Sequence, residues 1–572
     1  MSGLDFETVV IGTGFGGAIA ACRAAKKWPG KVLVLERGKR YPMGAFPRTP
    51  KAFAENFWNL PIEDRSRPRH VPKHQLRGMF DVRSYEGLDA VLCAGLGGGS
   101  LIYANVFLEP PDQVFASGWP RGVDRTALAP YYAVAKSVLG ARPVPDMAEP
   151  RRRISRTEMH QRVARAENRA TALTDINVFF GNDYANPLPI GEQARNRYGA
   201  LQTSCVYCGE CDVGCNTHSK NTTDLNYLFV AEQRYGAKVL TETLGSEIVP
   251  LNAQGAEDRG ASGEHGYRVT YIDLATGEKH SVGTARVVVS CGAQGSTELL
   301  LRCRDVFKTL PRISSELGRK FSGNGDFLSF VLARKSVADP NYGPVITQYA
   351  NYNLFADFNR EHAFILEDAA FPAFASWYIE GARPALSFFP VIWAAIRNAY
   401  SRFFRGASLG RLGFLFADLL KGDWSSRVSV LLWMGLDAGE GTMTLNNNGY
   451  LHIDWPVKKS MALYSAIEKA TEAFGKHIDA ELTFMLPNWW WPFRRNVTVH
   501  SLGGCRLGDG PSSGVTNAAR DRFGEVFGYT GLYVADGAIV PTAVGANPIA
   551  TISALSEMVA EGMTGLVPDS DL

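Results

Sequence analysis

The first forty residues alternate between apolar runs and segments rich in glycine or alanine. Residues 7–11 predict a buried strand, residues 18–25 a helix, and residues 31–35 a second strand that ends at Glu36. The first strand and the helix are joined by a turn that contains Gly12, Gly14, Phe15, Gly16 and Gly17. Strand, glycine turn, helix, strand and acid in this order predict a dinucleotide-binding unit. In such units a pyrophosphate lies at the helix N-terminus and the acid accepts hydrogen bonds from a ribose hydroxyl.

Farther along the chain, changes in this pattern mark the borders between domains. A second glycine cluster stands at 95–100, and a charged, helix-prone stretch follows at 121–200. Within it, the basic run from Arg151 to Arg169 predicts a solvated face. Strand-like runs at 237–243, 267–272 and 284–290 predict a hairpin-like insertion that returns to the first sheet. We therefore predict an α/β fold with a Rossmann-like nucleotide-binding domain built from both termini (1–120, 231–326 and 497–572), a helical segment with a cysteine cluster (121–230), and an α+β substrate domain with a mostly antiparallel sheet (327–496).

Length, charge and cysteine content narrow the class of protein. The 572 residues exceed the roughly 250–300 that one hydrophobic core holds, so at least two lobes are expected. Lys and Arg total 60 against 57 Asp and Glu, which gives no basic footprint for nucleic acid. Nine cysteines are too few for a disulfide scaffold, and the first strand begins without a basic, apolar leader. We therefore predict a cytoplasmic, reduced protein that does not bind nucleic acid.

The middle of the chain combines apolar, aromatic and basic residues. Residues 383–424 interleave aromatic side chains with arginines, and residues 489–495 contain three tryptophans beside two arginines. Basic amphipathic helices of this kind lie in membrane interfaces, which predicts peripheral contact at the inner membrane face. The alternative is a core-packed helical pair that covers a pocket. No apolar stretch reaches the ~20 residues of a membrane-spanning helix, and both alternatives predict an apolar substrate.

Four of the nine cysteines stand close together in the sequence. Cys205, Cys208, Cys211 and Cys215 have the C-x2-C-x2-C-x3-C spacing of a bacterial ferredoxin run, although Asn216 replaces the proline that usually follows. The first candidate is an iron-sulfur cluster, the second is zinc held by four thiolates, and the third is free thiols or a disulfide loop. A cluster near a redox cofactor would give electrons an exit other than O2.

These motifs together resemble the glucose-methanol-choline family of flavin oxidoreductases, most closely its cholesterol-oxidase-like bacterial branch. The resemblance covers most of the chain and rests on the glycine turn with Glu36, Gly97–Leu101 with Glu109 and Pro110, Gly292 and Ala293 with Leu299 and Leu300, Leu317 and Gly318 with Asn324 and Gly325, and the block from His500 to Asn547. It implies a bound FAD. The adenosine half would lie against Gly12, Gly14, Gly17 and Glu36, the isoalloxazine beside Gly97, Gly98, Gly99 and Ser100, and the ribityl chain and pyrophosphate near Asp536 and Gly537, with Asn547 and Pro548 also at the flavin.

The same resemblance implies the catalytic residues. Alcohol oxidation removes a hydroxyl proton while a hydride leaves the carbon for flavin N5, and histidine is the side chain that takes up protons most readily near neutral pH. His500 and Asn547 stand where the family carries a His-His or His-Asn pair. Glu367 lies in an apolar stretch that resembles the one from which cholesterol oxidases contribute a glutamate, with Asp368 as the alternative acid. Some dehydrogenases of the family hold an iron-sulfur cluster in the region of the four cysteines.

The expected function is therefore FAD-dependent oxidation of a bulky apolar alcohol, sterol-like or long-chain, to a carbonyl, with O2 or a redox carrier as electron acceptor. One alternative is a lyase related to fatty-acid photodecarboxylases or hydroxynitrile lyases, although His500 argues against the photoenzyme. Others are a polyol or sugar dehydrogenase that passes electrons through an iron-sulfur cluster, and a flavoprotein that binds a lipid without turnover.

Overall fold

The computed structural model describes residues 4–58, 77–145, 153–376, 379–380, 396, 400, 424–490 and 492–572. The helices of these residues are α1 (Phe15–Lys27), α2 (Pro50–Ala54), α3 (Asp112–Phe115), α4 (Arg125–Val138), α5 (Ser155–Ala166), α6 (Tyr227–Gln233), α7 (Gly292–Leu301), α8 (Trp424–Arg427), α9 (Met461–His477) and α10 (Ile549–Thr564). The strands are β1 (Phe6–Ile11), β2 (Val32–Leu35), β3 (Phe80–Tyr85), β4 (Leu88–Cys93), β5 (Val106–Phe107), β6 (Thr171–Leu173), β7 (Asp175–Ile176), β8 (Gln193–Arg195), β9 (Leu201–Thr203), β10 (Lys238–Leu240), β11 (Thr243–Pro250), β12 (Tyr267–Asp273), β13 (Lys279–Val289), β14 (Arg319–Phe321), β15 (Phe327–Ala333), β16 (Gln348–Tyr352), β17 (Phe364–Ala369), β18 (Val428–Gly435), β19 (Gly441–Leu445), β20 (Leu451–Asp454), β21 (Ala480–Met485), β22 (Asn496–Thr498), β23 (Leu507–Gly508), β24 (Thr516–Asn517) and β25 (Leu532–Val534).

A seven-stranded sheet carries the glycine turn. Its strands run in the order β10, β2, β1, β13, β12, β11, and β25 also pairs with β13. The β10, β2, β1, β13 and β25 pairings are parallel, whereas β11, β12 and β13 form the antiparallel hairpin predicted from the sequence. Helix α1 packs against α10 and α6 on this sheet. The prediction of a Rossmann-like sheet assembled from both ends of the chain is therefore confirmed.

A second sheet of six antiparallel strands forms the other lobe, in the order β21, β15, β18, β17, β16, β6. Helix α9 packs on β15 and β21, which gives this lobe its α+β character. Strand β6 belongs to the helical segment 121–230 by sequence but pairs with β16. The exact domain borders stay a prediction, since strands from neighbouring segments share this sheet.

Two sequence-based expectations about exposure hold for some of their residues only. In the basic segment around α5, Arg153, Arg162 and Arg165 are exposed as expected, but Arg156 is 1% exposed. Its burial is tolerated because the Arg156 guanidinium donates to the backbone carbonyls of Tyr342, Pro344 and Asp368.

In the tryptophan cluster, Trp489 is 3% exposed and packs edge-on against Phe327 in the core, whereas Trp490 and Phe493 are 55% and 66% exposed. The membrane-interface interpretation of this cluster stays a prediction.

The amphipathic segment 383–424 lies almost entirely outside the described residues, so the prediction of a membrane-interface helix or a lid stays untested. Among the helices that are described, none is both long enough and apolar enough to cross a membrane. All nine cysteines are free.

Candidate active site

A cavity of about 920 Å³ lies where the two lobes meet. One end is lined by the glycine turn, Glu36, and residues that follow β4 and β13. His500, Asn547 and Asp326 line the wall farther in, and strands of the second sheet line the remainder. The residues predicted from distant parts of the sequence therefore reach a single cavity.

The N-terminus of α1 faces the first end of this cavity. Gly14 is the N-cap of α1, and no side chain caps the first backbone N–H groups of the helix. A Cβ at Gly14 would meet nothing within 4 Å, whereas a Cβ at Gly16 would collide with the carbonyl of Ala535. Gly14 therefore borders open space at the positive end of a helix, and Gly16 permits the close contact between α1 and the strand β25.

Two buried acids flank this helix end. Glu36 is 4% exposed and accepts hydrogen bonds from Thr13 Oγ1 and from Gly38 N at 2.8 Å. Asp536 accepts from Gly292 N at 2.9 Å and from Ala538 N at 2.8 Å. Burial raises the pKa of both carboxyl groups, that of Asp536 to about 6. Both side chains line the cavity as hydrogen-bond acceptors for hydroxyl groups.

The second glycine cluster forms a tight 3-10 turn, Gly98–Leu101, that packs on the first. Gly98 has φ +53, and a Cβ there would lie 2.6 Å from the Cα of Gly14. Gly98 and Gly99 line the cavity, whereas Gly97 and Ser100 shape the turn, since Ser100 Oγ donates to the Gly97 carbonyl at 2.7 Å. Gly17 likewise lies behind the cavity wall, against the carbonyl of Gly12.

These residues fit the group that the sequence implies. An FAD pyrophosphate needs free backbone N–H groups at a helix N-terminus and backbone without side chains beside it. The uncapped end of α1 and the open space at Gly14 and Gly99 meet that need. Glu36, at the end of β2, is placed to accept from a ribose. Of the predicted cofactor residues, the following line the cavity: Gly12, Gly14, Phe15, Gly16, Glu36, Gly98, Gly99, Asp536, Gly537, Asn547 and Pro548.

His500 lies just after β22, and its ring is held by an acid that the sequence-based prediction missed. His500 Nδ1 is 2.7 Å from Asp326 Oδ1. The other oxygen of Asp326 accepts from Thr498 Oγ1 at 2.9 Å, Val499 N at 2.9 Å and His500 N at 3.2 Å. Asp326 directly follows the Asn324-Gly325 motif, which was the available signal, but its partners lie more than 170 residues away along the chain.

Asn547 and Glu367 meet on the other side of the site. Asn547 lines the cavity, and its Nδ2 donates to Glu367 Oε2 at 3.3 Å. Glu367, on β17, is fully buried and is absent from the described residues that line the cavity. Burial holds the pKa of Glu367 well above its usual range. Glu367 Oε1 and Asn547 Oδ1 are buried without a hydrogen-bond partner among the described residues. Glu367 therefore reaches the cavity through Asn547.

Asp368, the alternative acid, holds neighbouring elements together through its hydrogen bonds. It is fully buried and accepts from the backbone N–H groups of Thr347 and Gln348, both at 2.9 Å, and from Thr157 Oγ1 at 2.7 Å. Its side chain thus joins α5 to the strands β16 and β17. This leaves Glu367 as the acid nearer to Asn547.

The structure describes all four cysteines of the predicted metal site. Cys205, Cys208, Cys211 and Cys215 border one small cavity. However, Cys205 packs in an apolar cluster with Phe180, whereas Cys211 packs in another with Ile346. Within the described residues, which include all four cysteines, no group of three or more His, Cys, Asp or Glu side chains is arranged to hold a metal ion.

Burial raises the pKa of the Cys208 and Cys211 thiols to about 12. A metal ion would bind them as thiolates whose sulfur atoms point to a common centre. The iron-sulfur cluster, with zinc as the second choice, stays a prediction, and so does the exit for electrons through it.

The inner part of the cavity has an apolar wall. On the adjacent strands β21, β15 and β18, alternate side chains point to the same face. Phe330 stands opposite Val430 on one side and Phe484 on the other, and Leu332 stands opposite Val428 and Leu482. Strand spacing and rise make this wall about 10 Å wide and about 14 Å long. The wall residues that line the cavity are Leu328, Phe330, Leu332, Val428, Val430, Leu432, Leu482 and Phe484.

Comparisons with known proteins agree with this geometry. Family models described as GMC oxidoreductase match residues 191–303 and 441–556. The chain is 27% identical over 575 residues to a protein named cholesterol oxidase from Acinetobacter baumannii, covering 97% of this chain and 93% of that protein. A cholesterol oxidase of Mycobacterium tuberculosis is also 27% identical, over 97% of this chain and 90% of its own length.

Solved structures show the same fold at low sequence identity. Pyridoxine 4-oxidase from Mesorbium loti is 14% identical with a TM-score of 0.59, covering 97% of this chain and 98% of that one. Formate oxidase from Aspergillus oryzae RIB40 is 14% identical with a TM-score of 0.60, covering 99% of both chains. The chain is therefore similar to the GMC oxidoreductases in both matched segments and, with its full-length likeness to cholesterol oxidases, is an FAD-dependent oxidoreductase that acts on alcohol donors.

Proposed function

We propose that this protein oxidises a hydroxyl group of a bulky apolar alcohol, with a flat sterol-like molecule as the first candidate and a long-chain alcohol as the second. The bound FAD supplies the hydride acceptor at its N5 atom. The single observation that carries the proposal is the cavity, which His500 and Asn547 line together with the residues that fit FAD and with the apolar wall.

In this proposal, His500 takes the hydroxyl proton. Asp326 engages Nδ1 of the ring, which leaves Nε2 for the substrate. Proton transfer to a positioned histidine contributes about 100- to 10,000-fold to such reactions. The side chain of His500 is 14% exposed, so the ring borders the cavity while most of it is shielded from water.

Asn547 and Glu367 supply a neutral polar surface at the same site. A protonated Glu367 adds no negative charge near the substrate oxygen. Asn547 Nδ2 donates one of its two hydrogens to Glu367, so its second hydrogen is left to bond the substrate oxygen or the flavin. Glu367 acts in this arrangement as the residue that holds the Asn547 amide.

The apolar wall supports a rigid, flat substrate. Three neighbouring strands present aliphatic and aromatic side chains in cross-strand rows, and such a surface matches the face of fused rings more closely than it matches a polyol. The relatives named cholesterol oxidase support a sterol and O2 as acceptor. A redox carrier is the alternative acceptor. Contact with a membrane surface is proposed from the sequence of residues 383–424 alone, and co-sedimentation with anionic lipid vesicles would test it.

The test is anaerobic mixing of the FAD-loaded protein with single alcohols. Cholesterol or a long-chain primary alcohol should bleach the visible flavin absorbance, whereas a polyol of similar size should not. His500→Ala should slow this bleaching about 100- to 10,000-fold without loss of bound FAD. Bleaching by the polyol alone would overturn the substrate class, and bleaching by none of the alcohols would overturn the proposed oxidation. Light-dependent release of CO2 from a fatty acid would instead favour the lyase alternative.

A further inference from the structure

We propose that Asp326 is the positioning residue that fixes the tautomer of His500 and stabilises the positive charge that the ring gains with the substrate proton. This inference rests on the proposed function, because it concerns the same proton transfer. No contact between Asp326 and the substrate is required. Asp326 acts only through the His500 ring.

The geometry fixes which nitrogen of His500 carries hydrogen. The Oδ1 atom of Asp326 lies 2.7 Å from Nδ1, and the Oδ2 atom already accepts three hydrogen bonds. An ionised carboxylate can only accept, so Nδ1 must carry the hydrogen that it shares with Oδ1. The remaining nitrogen, Nε2, then holds a lone pair. This is the form of histidine that can take a proton from an alcohol.

The acid is held more firmly than the ring it orients. Asp326 is 2% exposed and directly precedes β15, which lies between β21 and β18 in the six-stranded sheet. Two of its hydrogen bonds come from the backbone N–H groups of Val499 and His500. Asp326 thus links β15 of the second lobe to the segment that carries His500.

The other ionisable groups around the pair do not replace Asp326. Glu367, on β17, has a pKa well above its usual range because it is buried, so it is neutral. Asp437, after β18, has its pKa raised to about 6 by burial, and its oxygens are taken by Ser322 Oγ, Gly325 N and Gly439 N. Tyr464, on α9, also has a pKa well above its usual range. Asp326 is therefore the charged group that compensates a protonated His500.

The substrate would lose a proton and a hydride to two different acceptors. Nε2 of His500 would take the hydroxyl proton, and bound FAD would supply the acceptor for the hydride of the C–H bond, which leaves a C=O bond between the same carbon and oxygen. The positive charge that results on the ring is stabilised by the Asp326 carboxylate 2.7 Å away. A buried acid in this relation to histidine orients the ring and stabilises its charged form without taking the proton itself.

The test compares Asp326→Asn with the matched control Asp437→Asn. Both substitutions remove a carboxylate charge from a buried loop next to β15, but only Asp326 contacts His500. The rate of anaerobic flavin reduction is measured across pH on the FAD-loaded proteins, together with FAD content and Tm. Asp326→Asn should lower the maximal rate about 100- to 10,000-fold. It should also move the acidic limb of the profile, where protonated His500 stops the reaction, to lower pH by about one unit or more.

The control should keep the rate within about threefold and leave the acidic limb in place. If the acidic limb of the pH profile does not move in Asp326→Asn, the role of Asp326 is overturned, whatever the rate of flavin reduction. A merely structural defect would lower the rate without moving this limb. If Asp326→Asn does not retain FAD, Asp326→Glu replaces it and must show a displaced limb. Normal flavin reduction by His500→Ala would instead overturn the proposed function itself.

Discussion

Replacement of Glu367 by Gln tests the buried, neutral acid behind Asn547. Glu367 is fully buried, and burial holds its pKa well above the ordinary value, so the folded protein keeps a proton that the unfolded chain loses above about pH 4.5. The folded form binds more protons, and the free energy of unfolding must therefore fall as pH rises through the interval between the two pKa values. Gln is neutral at every pH and can still accept from Asn547 Nδ2.

The size of the effect follows from this linkage. One such group changes the free energy of unfolding by about 1.4 kcal/mol per pH unit between its unfolded and folded pKa values. For a cooperative unit of this length, that corresponds to about 1 °C in Tm per pH unit. Glu367→Gln should therefore gain about 1 °C in Tm relative to the wild type for each pH unit above about pH 5.5, up to the folded pKa of Glu367.

The assay is thermal unfolding of the FAD-loaded proteins followed by circular dichroism at each pH. Glu361→Gln is the matched control, because Glu361 lies just before the same strand and is exposed. The Tm difference between this control and the wild type should not depend on pH. If the Tm difference between Glu367→Gln and the wild type is constant, or shrinks as pH rises, Glu367 is ionised in the folded protein.

Three further substitutions test the cofactor site, the apolar wall and the core. Gly98→Ala should weaken FAD binding by about 2 kcal/mol or more, roughly thirtyfold in Kd, because the residue has φ +53 and its Cβ would collide with Gly14. The control in an FAD titration is Gly510→Ala, where the Cβ has open space around it. Equal Kd values for the two variants would contradict the predicted contact. Phe330→Ala should raise KM for cholesterol about tenfold or more while kcat changes little, and an equal change for a short alcohol would argue against the wall as the binding surface. Glu557→Gln removes the buried partner of Arg23, which is 2% exposed, and leaves only the exposed Asp569 at 3.9 Å as a charged neighbour. It should cost about 3 kcal/mol in urea unfolding, whereas Glu472→Gln on α9, at an exposed position, should cost less than about 0.5 kcal/mol.

Features set by local sequence were predictable, whereas roles that depend on tertiary contacts were not. The glycine turn, α1 and Glu36 were predictable because their geometry is set within thirty residues, and the hairpin β12–β13 was predictable from its two apolar runs. Asp326 was missed because the meaning of that acid depends on His500, which is brought to it only by folding. Arg156 was misassigned because a basic sequence does not reveal the carbonyl groups that accept from the guanidinium. For Cys205 and Cys211, spacing along the chain did not fix where each sulfur points.

The parallel pairing of β13 with β25 and the packing of α10 on α1 also set the order in which this protein can mature on the ribosome. Arg23 of α1 binds Glu557 of α10, a partner 534 positions later in the chain, and Gly16 packs against Ala535. At about 5–20 residues per second, the first glycine turn waits roughly half a minute to two minutes for these contacts. During that time the nascent chain exposes the apolar side of α1. FAD capture is therefore expected only after release of nearly the whole chain, and the unfinished protein is a substrate for chaperones.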